Sequence, residues 1–425
     1  MKSRTLIKNC HIVSPECDFD VLNSLLISDG KIEAIGDINV LCDTVYDGDS
    51  CCLIPGLIDM NCKICEDGYE SRDNLKIVSA TAAAGGFTTL AITPNTQPVI
   101  DNKTVVDYVI QRIKSESSVN IYPYGSITKG CKGKDIAEIG KMLSKGIIGI
   151  SDHGGMIDNA SLLRDVLMYS KMFDVPVISG GLDDSLAEGK AVNEGIIATR
   201  LGLSGSPREA EEIIVSRNMI LGKYSGAKLH LPVITTEFSV ALVNEGKKHN
   251  SRLSAGTFPH YFTLTEEEIL GYNTFGKVNP PLRTKKDTEA LKQGIYSGVI
   301  DVIASGHTPA SIDRKLVEFD LAACGISSLE TAFPVSFSAL CNDKFSLSDL
   351  CRVMSKRPAE ILGLDKKGVI KKGNDADLVI CDINNDFEIK GSEFISKAKY
   401  TPYEGKRVKG KVLKTFVGGK VVFGT

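Results

Sequence analysis

Residues 53–63, LIPGLIDMNCK, decide how the rest of the chain is interpreted. An apolar strand runs through Pro55-Gly56 towards Asn61 and Lys63. Side chains two residues apart on a strand point the same way, so Asn61 and Lys63 are presented side by side. An amide is a poor ligand for a transition metal and an ammonium group repels a cation. The segment therefore has the pattern of an enzyme's strand end without the groups that metal chemistry needs.

Length and composition set the broad class of the protein. The chain has 425 residues, which suits a barrel with an appended second domain. Hydrophobic residues make up 42% and charged residues 24%, and the formal net charge of −3 argues against a nucleic-acid-binding surface. The first thirty residues lack a secretion signal, and no apolar run approaches the ~18 residues that a bilayer requires. We expect a cytoplasmic protein without membrane contacts, whose 12 cysteines are reduced thiols.

The two ends of the chain are predicted to form one small β-domain. Residues 6–13, 24–27 and 32–35 have strand-like patterns, and Ser28-Asp29-Gly30-Lys31 is typical of a hairpin turn. Residues 376–382, 411–417 and 421–423 repeat this style near the end of the chain. We therefore expect residues 1–52 and 364–425 to build a composite β-sandwich domain.

The middle of the chain alternates apolar strands with helical patterns. Strands are predicted at residues 53–60, 88–92, 120–124, 146–150, 176–179, 228–231, 252–255 and 299–304. Helices are predicted between them, among others at residues 74–84, 161–173, 239–249 and 287–296. Eight βα units favour an α/β fold with a closed (β/α)8 barrel over residues 53–363.

A series of motifs runs through the chain in a fixed order. The motifs are IPGLID (54–59), AAAGGFTT (82–89), TPNT (93–96), NEG (193–195), KVNPPLR (277–283), GISSLE (325–330), PAEILGL (358–364) and GNDADLV (373–379). Together they make the chain similar to the dihydroorotases of the amidohydrolase superfamily, almost from end to end. The resemblance implies a TIM-type barrel with its site at the barrel mouth.

The resemblance also implies which residues the chemistry would use. Active dihydroorotases bind one or two zinc ions, cyclise N-carbamoyl-aspartate reversibly, and shuttle protons through an aspartate after the last barrel strand. The corresponding positions here are Asn61 and Lys63 for two histidines, Cys65 for the arginine that grips the substrate carboxylate, His153 for the metal-bridging carboxylate, Gly180 and Val233 for two further histidines, and Gly306 for the shuttle aspartate. A catalytic zinc needs about three protein ligands, so the resemblance implies no zinc and no usual catalytic residue in this chain.

The first hypothesis is a catalytically inactive dihydroorotase homologue of pyrimidine biosynthesis. Some bacteria pair such a chain with aspartate carbamoyltransferase, the preceding enzyme, whose assembly or activity depends on it. The resemblance thus implies the aspartate carbamoyltransferase catalytic chain as partner, in a homo- or hetero-oligomer.

The second hypothesis is an active amidohydrolase with rearranged chemistry. Its substrate would be a cyclic amide such as dihydroorotate, allantoin or a hydantoin. It would recruit Cys62, Cys65, His153 or His307 to a metal. The Cys62-Lys63-Ile64-Cys65 spacing is compatible with half of a zinc site, but the chain has no second such pair, and coincidental thiols are the simpler interpretation.

Three retained residues are candidates for ligand contacts. Asn95, Asn279 and His307 fall where family members touch the substrate or lie beside it. The alternative is structural, because Asn95 and Asn279 also suit turns at strand ends, and a lone histidine there is usually hydrogen-bonded. A further hypothesis places the Lys63 ammonium in the space that a metal would otherwise fill.

Overall fold

The computed structural model describes residues 4–64, 73–152, 157–190 and 192–424, with side chains omitted for residues 17–21. Two of the predicted site residues, Cys65 and His153, lie outside the described residues. The remaining predicted positions can be located.

A parallel barrel occupies the middle of the chain. In the described residues its eight strands are Leu57–Cys62, Phe87–Ile92, Asn120–Pro123 continued by Gly125–Ser126, Ile150–Ser151, Val177–Ile178, Leu229–Leu231, Leu253–Thr257 and Val302–Ile303. The first and last strands meet where the Lys63 amide N–H donates to the His307 carbonyl at 3.2 Å. Nearby, the Ser305 amide donates to Asp59 Oδ1 at 2.9 Å. The predicted barrel is confirmed.

Helices cover the outside of the barrel. The α-helices are Leu75–Ala84, Lys103–Glu116, Ile139–Leu143, Ala160–Ser170, Asp184–Ala187, Ile196–Leu201, Glu209–Ser225, Glu237–Lys247, Pro259–Thr263, Lys285–Tyr296, Leu329–Leu340, Leu347–Cys351 and Arg357–Leu362. Shorter 3-10 turns lie at Lys129–Cys131, Lys171–Phe173, Glu266–Tyr272, Thr274–Gly276, Ile312–Arg314 and Gly391–Glu393, with a π turn at Arg352–Lys356. No helix of the described segments is long and apolar enough to span a membrane.

Side-chain caps explain where several of these helices begin. The Asn102 side chain accepts hydrogen bonds from the Thr104 and Val105 amides, which satisfies two orphan donors of the first turn. Asn74 caps the helix after the first barrel strand in the same way. The four helices predicted above therefore start within two residues of their expected positions.

A second sheet is built from both ends of the chain. Its strands are Arg4–Ser14, Cys17–Ser28, Lys31–Gly36, Thr44–Asp47, Cys52–Pro55, Leu378–Asp382, Lys411–Val417 and Lys420–Phe423. Two small pairs lie elsewhere, Val192–Asn193 with Gly205–Ser206 and Phe387–Glu388 with Arg407–Val408. The predicted β-domain from both termini is confirmed. It is fixed to the barrel by contacts such as the bond from Thr415 Oγ1 to the Ala83 carbonyl at 2.7 Å.

The segment 53–60 differs from its prediction as one strand. The structure divides it at Gly56: Cys52–Pro55 pairs with Leu378–Asp382 in the terminal sheet, and Leu57–Cys62 begins the barrel. A side chain at Gly56 would overlap that of Thr88, so the chain passes between the two layers where only glycine fits. Apolar runs carry no signal for such a change of sheet.

Candidate active site at the barrel mouth

A cavity of about 320 Å³ opens at the carboxyl ends of the barrel strands. Seven of the predicted site residues line it together: Asn61, Lys63, Asn95, Gly180, Val233, Asn279 and Gly306. They come from separate strands and share one edge because a barrel directs every strand's carboxyl end to the same face. The cavity lies at the small end of the usual size range of ligand sites, about 300–1,000 Å³, which suits a ligand of one ring.

The first barrel strand provides the floor of this cavity. The Asn61 side chain is 6% exposed, and its Nδ2 atom has no hydrogen-bond partner among the described residues. Its backbone N–H donates to Asp59 Oδ1 at 3.1 Å. Lys63, two residues on, is half-buried and lines the same cavity, as its position on the same strand face requires.

Asp59 holds the floor in place. Its carboxylate accepts hydrogen bonds from the Ser305 amide and hydroxyl, which join the first strand to the last. Burial raises the pKa of Asp59, while the bonds from Ser305 and Asn61 oppose that shift. Its carboxylate is therefore saturated by the protein and serves the architecture beneath the cavity.

After the last strand, an aromatic ring packs against Gly306. Gly306 has φ +65°, and a Cβ atom added there would overlap the ring of Phe258. Phe258 follows the strand Leu253–Thr257 and lines the cavity. The space that an acidic side chain at position 306 would use is thus taken by an aromatic ring.

The other expected ligand positions offer no donor atoms either. Gly180 has no side chain, and an added Cβ would lie 3.1 Å from Pro232 Cδ. Val233 is buried and apolar. Within the described residues, no three His, Cys, Asp or Glu side chains come together as a metal site would need. The described residues of the cavity therefore do not fit the zinc ion that the family pattern implies.

The remaining histidines near the barrel mouth are held neutral or bound by the protein. His230 Nδ1 lies 2.9 Å from Ser254 Oγ, and burial lowers its pKa to about 4. His260 lines the cavity, its ring centroid lies 4.3 Å from that of Tyr261 in a tilted arrangement, and burial lowers its pKa to about 3. Both are uncharged at neutral pH.

His307 lies outside the cavity lining. Its Nδ1 atom accepts from the Ser328 amide at 3.2 Å, and its Nε2 atom lies 3.5 Å from Asp73 Oδ2. Asp73 in turn accepts from the Ser396 hydroxyl at 2.6 Å. The imidazole is fully buried in this network, where it connects the last strand to the following segments.

Several lining residues escaped the sequence analysis. They are Asp184, Phe258, His260, Tyr261 and Cys324. Asp184 begins the short helix Asp184–Ala187 and is exposed, and partial desolvation together with the nearby carboxylates of Asp158 and Glu188 raises its pKa. The aromatic run Phe258 to Tyr261 directly follows a barrel strand, so its position after a strand end was the available signal.

Known proteins resemble the chain over its whole length. A family model described as Dihydro-orotase-like matches residues 51–239, and one described as Amidohydrolase family matches residues 339–423. A dihydroorotase from Acetivibrio thermocellus is 41% identical over 419 residues, 98% of each chain. A dihydroorotase from Ruminiclostridium cellulolyticum is 39% identical, covering 99% of this chain and 98% of its own.

Solved structures of hydantoinases share the fold of the chain. L-hydantoinase from Arthrobacter aurescens has a TM-score of 0.89 at 23% identity, covering 100% of this chain and 96% of its own. A D-hydantoinase has a TM-score of 0.86 at 21% identity, covering 99% and 95%. At these identities the matches establish the fold alone.

These relatives correct the functional prediction. The hypothesis of a catalytically inactive homologue serving as an assembly subunit is wrong, because the relatives at about 40% identity over the full chain are named dihydroorotase. That hypothesis depended only on the metal-ligand and proton-shuttle positions at which the chain lacks the family's usual residues. The alternative hypothesis, an active cyclic amidohydrolase with a rearranged site, is the better fit. An aspartate carbamoyltransferase chain as partner stays a prediction.

Proposed function

Because the chain belongs to the dihydroorotase family of cyclic amidohydrolases, we propose that it opens or closes a cyclic amide ring at the barrel mouth. Dihydroorotate is the first candidate substrate, and allantoin and hydantoins are the next. The proposal is supported above all by the 41% identity with a dihydroorotase over 98% of both chains. The cavity, with its amide and ammonium side chains, supplies a compatible binding place.

The cavity groups suit a ring that carries carbonyl and N–H groups. Asn61 and Asn95 present amides that can donate to a carbonyl and accept from a ring N–H. The Asn95 Oδ1 atom is buried and, like Asn61 Nδ2, has no partner within the described residues. Lys63 adds an ammonium group to the same lining.

Asp184 is the carboxylate of the cavity lining in the described part of the chain. We assign it the proton transfers of ring opening. Water adds to the ring carbonyl carbon and gives its proton to the Asp184 carboxylate. The C–N bond then breaks, and the proton passes to the departing ring nitrogen, which leaves a carboxylic acid and an open-chain ureido group. The raised pKa of Asp184 brings it nearer to the working pH of a general base.

Turnover assays in both directions test this function. Purified full-length protein is offered dihydroorotate, N-carbamoyl-aspartate, allantoin and hydantoin, with and without added zinc, and products are separated by chromatography. We expect turnover of at least one ring, and a fall of about 10²-fold or more in kcat for Asp184→Asn. Asp183→Asn, one residue away at the helix cap, is the matched control. Folded protein that turns over none of these compounds would overturn the proposal.

A further inference from the structure

Two amide side chains at the cavity floor are left with unsatisfied atoms. Asn61 Nδ2 and Asn95 Oδ1 are both buried and unpartnered within the described residues, and both residues line the cavity. A buried polar atom without a hydrogen bond destabilises the fold, and these two lie where a ligand could satisfy them. The terminal torsion of an amide side chain is soft, so each side chain can reorient towards a bound ligand. Together they present one donor and one acceptor, which matches the C=O and N–H of a ureide.

A fixed positive charge lies beside these amides. Lys63 lines the same cavity and directly follows the strand Leu57–Cys62 that contains Asn61. Two more lysines are buried nearby and bind carbonyl groups: Lys277 Nζ donates to the Phe319 carbonyl at 2.6 Å, and Lys315 Nζ donates to the Thr274 carbonyl at 2.9 Å. Among the described lining residues Lys63 supplies an ammonium and Asp184 a carboxylate, so the place for an anionic ligand group is beside Lys63.

One wall of the cavity is aromatic. Phe258 fills the space beside Gly306, and the Tyr261 ring stacks with it at a centroid distance of 5.8 Å. Aromatic faces bind flat rings through apolar contact and stacking. A carboxylate side chain at Gly306 would first have to displace this ring, so the aromatic wall and the family's shuttle aspartate exclude each other.

We propose that the cavity recognises a single-ring cyclic ureide bearing a carboxylate without a transition metal, and that the Lys63 ammonium provides the positive charge in place of a metal. This rests on the proposed function for its substrate class. The Asn61 and Asn95 amides bind the ring C=O and N–H groups, Phe258 packs on the ring face, and Lys63 pairs with the negative charge.

Calorimetric titration of chelator-treated, full-length protein tests this recognition. The ligands are dihydroorotate and dihydrouracil, which share the ring but differ in the carboxylate. We expect dihydroorotate to bind the metal-free protein more tightly than dihydrouracil does. Lys63→Met should lower the dihydroorotate affinity about tenfold or more and leave dihydrouracil almost unchanged, because the lost contact is to the charge.

Two further variants guard against a folding artefact. Lys63→Arg keeps the charge and should recover much of the affinity that Lys63→Met loses. Lys344→Met removes an exposed lysine from the surface turn formed by Asn342 and Phe345 and should change nothing. Equal unfolding midpoints for the variants exclude a general loss of structure.

The outcomes separate this inference from the proposed activity. Binding that appears only after zinc is added, or equal dihydroorotate affinities for the native protein and Lys63→Met, would overturn metal-free recognition. Turnover that requires stoichiometric zinc would do the same while leaving the amidohydrolase activity in place. Metal-free binding of dihydroorotate without turnover of any ring would support the recognition and overturn the activity.

Discussion

Two buried polar side chains at the carboxyl end of the barrel are treated in opposite ways. The Asp152 carboxylate accepts hydrogen bonds from Ser126 Oγ at 2.9 Å and from the Ile127 and Thr128 amides at 2.8 and 3.0 Å. The Asn61 amide, equally shielded from solvent, keeps Nδ2 without a partner among the described residues. The first arrangement stabilises the fold, whereas the second sacrifices stability and is the basis of the ligand contact proposed above.

This difference teaches which residues belong to the site. Burial alone does not distinguish them, because Asp59 and Asp152 are as buried as Asn61. Their carboxylates are saturated by backbone and hydroxyl donors, so they have no capacity left for a ligand. Unsatisfied capacity beside a cavity is the better criterion.

The largest loss of stability is expected for Asp152, because the protein itself satisfies its buried carboxylate with hydrogen bonds. Asp152→Ala removes the acceptor of several buried donors and should lower the free energy of unfolding by about 3–5 kcal/mol. Urea unfolding followed by circular dichroism measures it. Asp343→Ala, an exposed aspartate in a surface turn, is the control and should change the stability little. A loss below ~1 kcal/mol for Asp152→Ala would contradict the claim that the hydrogen bonds of this carboxylate stabilise the fold.

An acidic residue introduced at position 306 should destabilise the protein. Gly306→Asp combines left-handed backbone strain with overlap against Phe258, and we expect a loss of about 2–4 kcal/mol. Gly298→Asp is the matched control, because Gly298 has φ +74° but open space around its Cβ position. The excess of the first loss over the second measures the overlap. Phe258→Ala in the same chain should remove most of this excess, and additive losses would contradict the account.

Lys315 represents an intermediate case, bonded to carbonyls but not paired with a charge. Burial lowers its pKa to about 8 from an ordinary value near 10.5. The unfolded chain therefore binds more protons than the native protein between these values, so this residue makes stability rise as pH increases from about 8 to 10. Lys315→Met should remove that contribution, about 1–3 kcal/mol. Urea unfolding at pH 8 and pH 10, compared with Lys344→Met, checks the sign.

The smallest effect on stability should come from substituting Asn61, whose Nδ2 atom has no hydrogen-bond partner among the described residues. Asn61→Leu keeps the branched shape of the side chain and removes an unpartnered polar atom, so the free energy of unfolding should stay within about 1 kcal/mol or rise. The ligand affinity should fall in the same protein. Asn218→Leu is the contrasting variant, because Asn218 Nδ2 donates to the Ser179 carbonyl at 3.2 Å and its loss should destabilise by about 1–3 kcal/mol. Equal losses for both variants would show that Asn61 has a hidden partner.

Much of the fold could be predicted from the sequence because its signals are local. The alternation of strand and helix patterns gave the barrel, and Asn74 marked the start of a helix by its capping chemistry. The predicted turn at Asp29-Gly30 has positive φ at both residues, 51° and 76°, as a tight hairpin requires. The division of residues 53–60 at Gly56 was missed, because it depends on contact with Thr88 in another strand.

The candidate site was predictable only in part. Asn61, Lys63 and Asn95 follow barrel strands, so the barrel topology brings them to one cavity. Asp184 and Phe258 were missed because their nearness to the cavity depends on how loops and short helices pack. The predicted loss of activity failed for another reason: absent ligand residues say which chemistry a site lacks and not which chemistry it has.

The sequence by itself determined the order of strands and helices and the residue types at each strand end, because periodicity and capping depend on neighbours along the chain. It also determined that the pair after the first barrel strand is an amide and an ammonium group. The tertiary structure alone decided which buried polar atoms are satisfied. The hydrogen bonds of Asp152 and the packing of Phe258 against Gly306 join residues 24 to 48 positions apart, whose distances only the folded barrel sets.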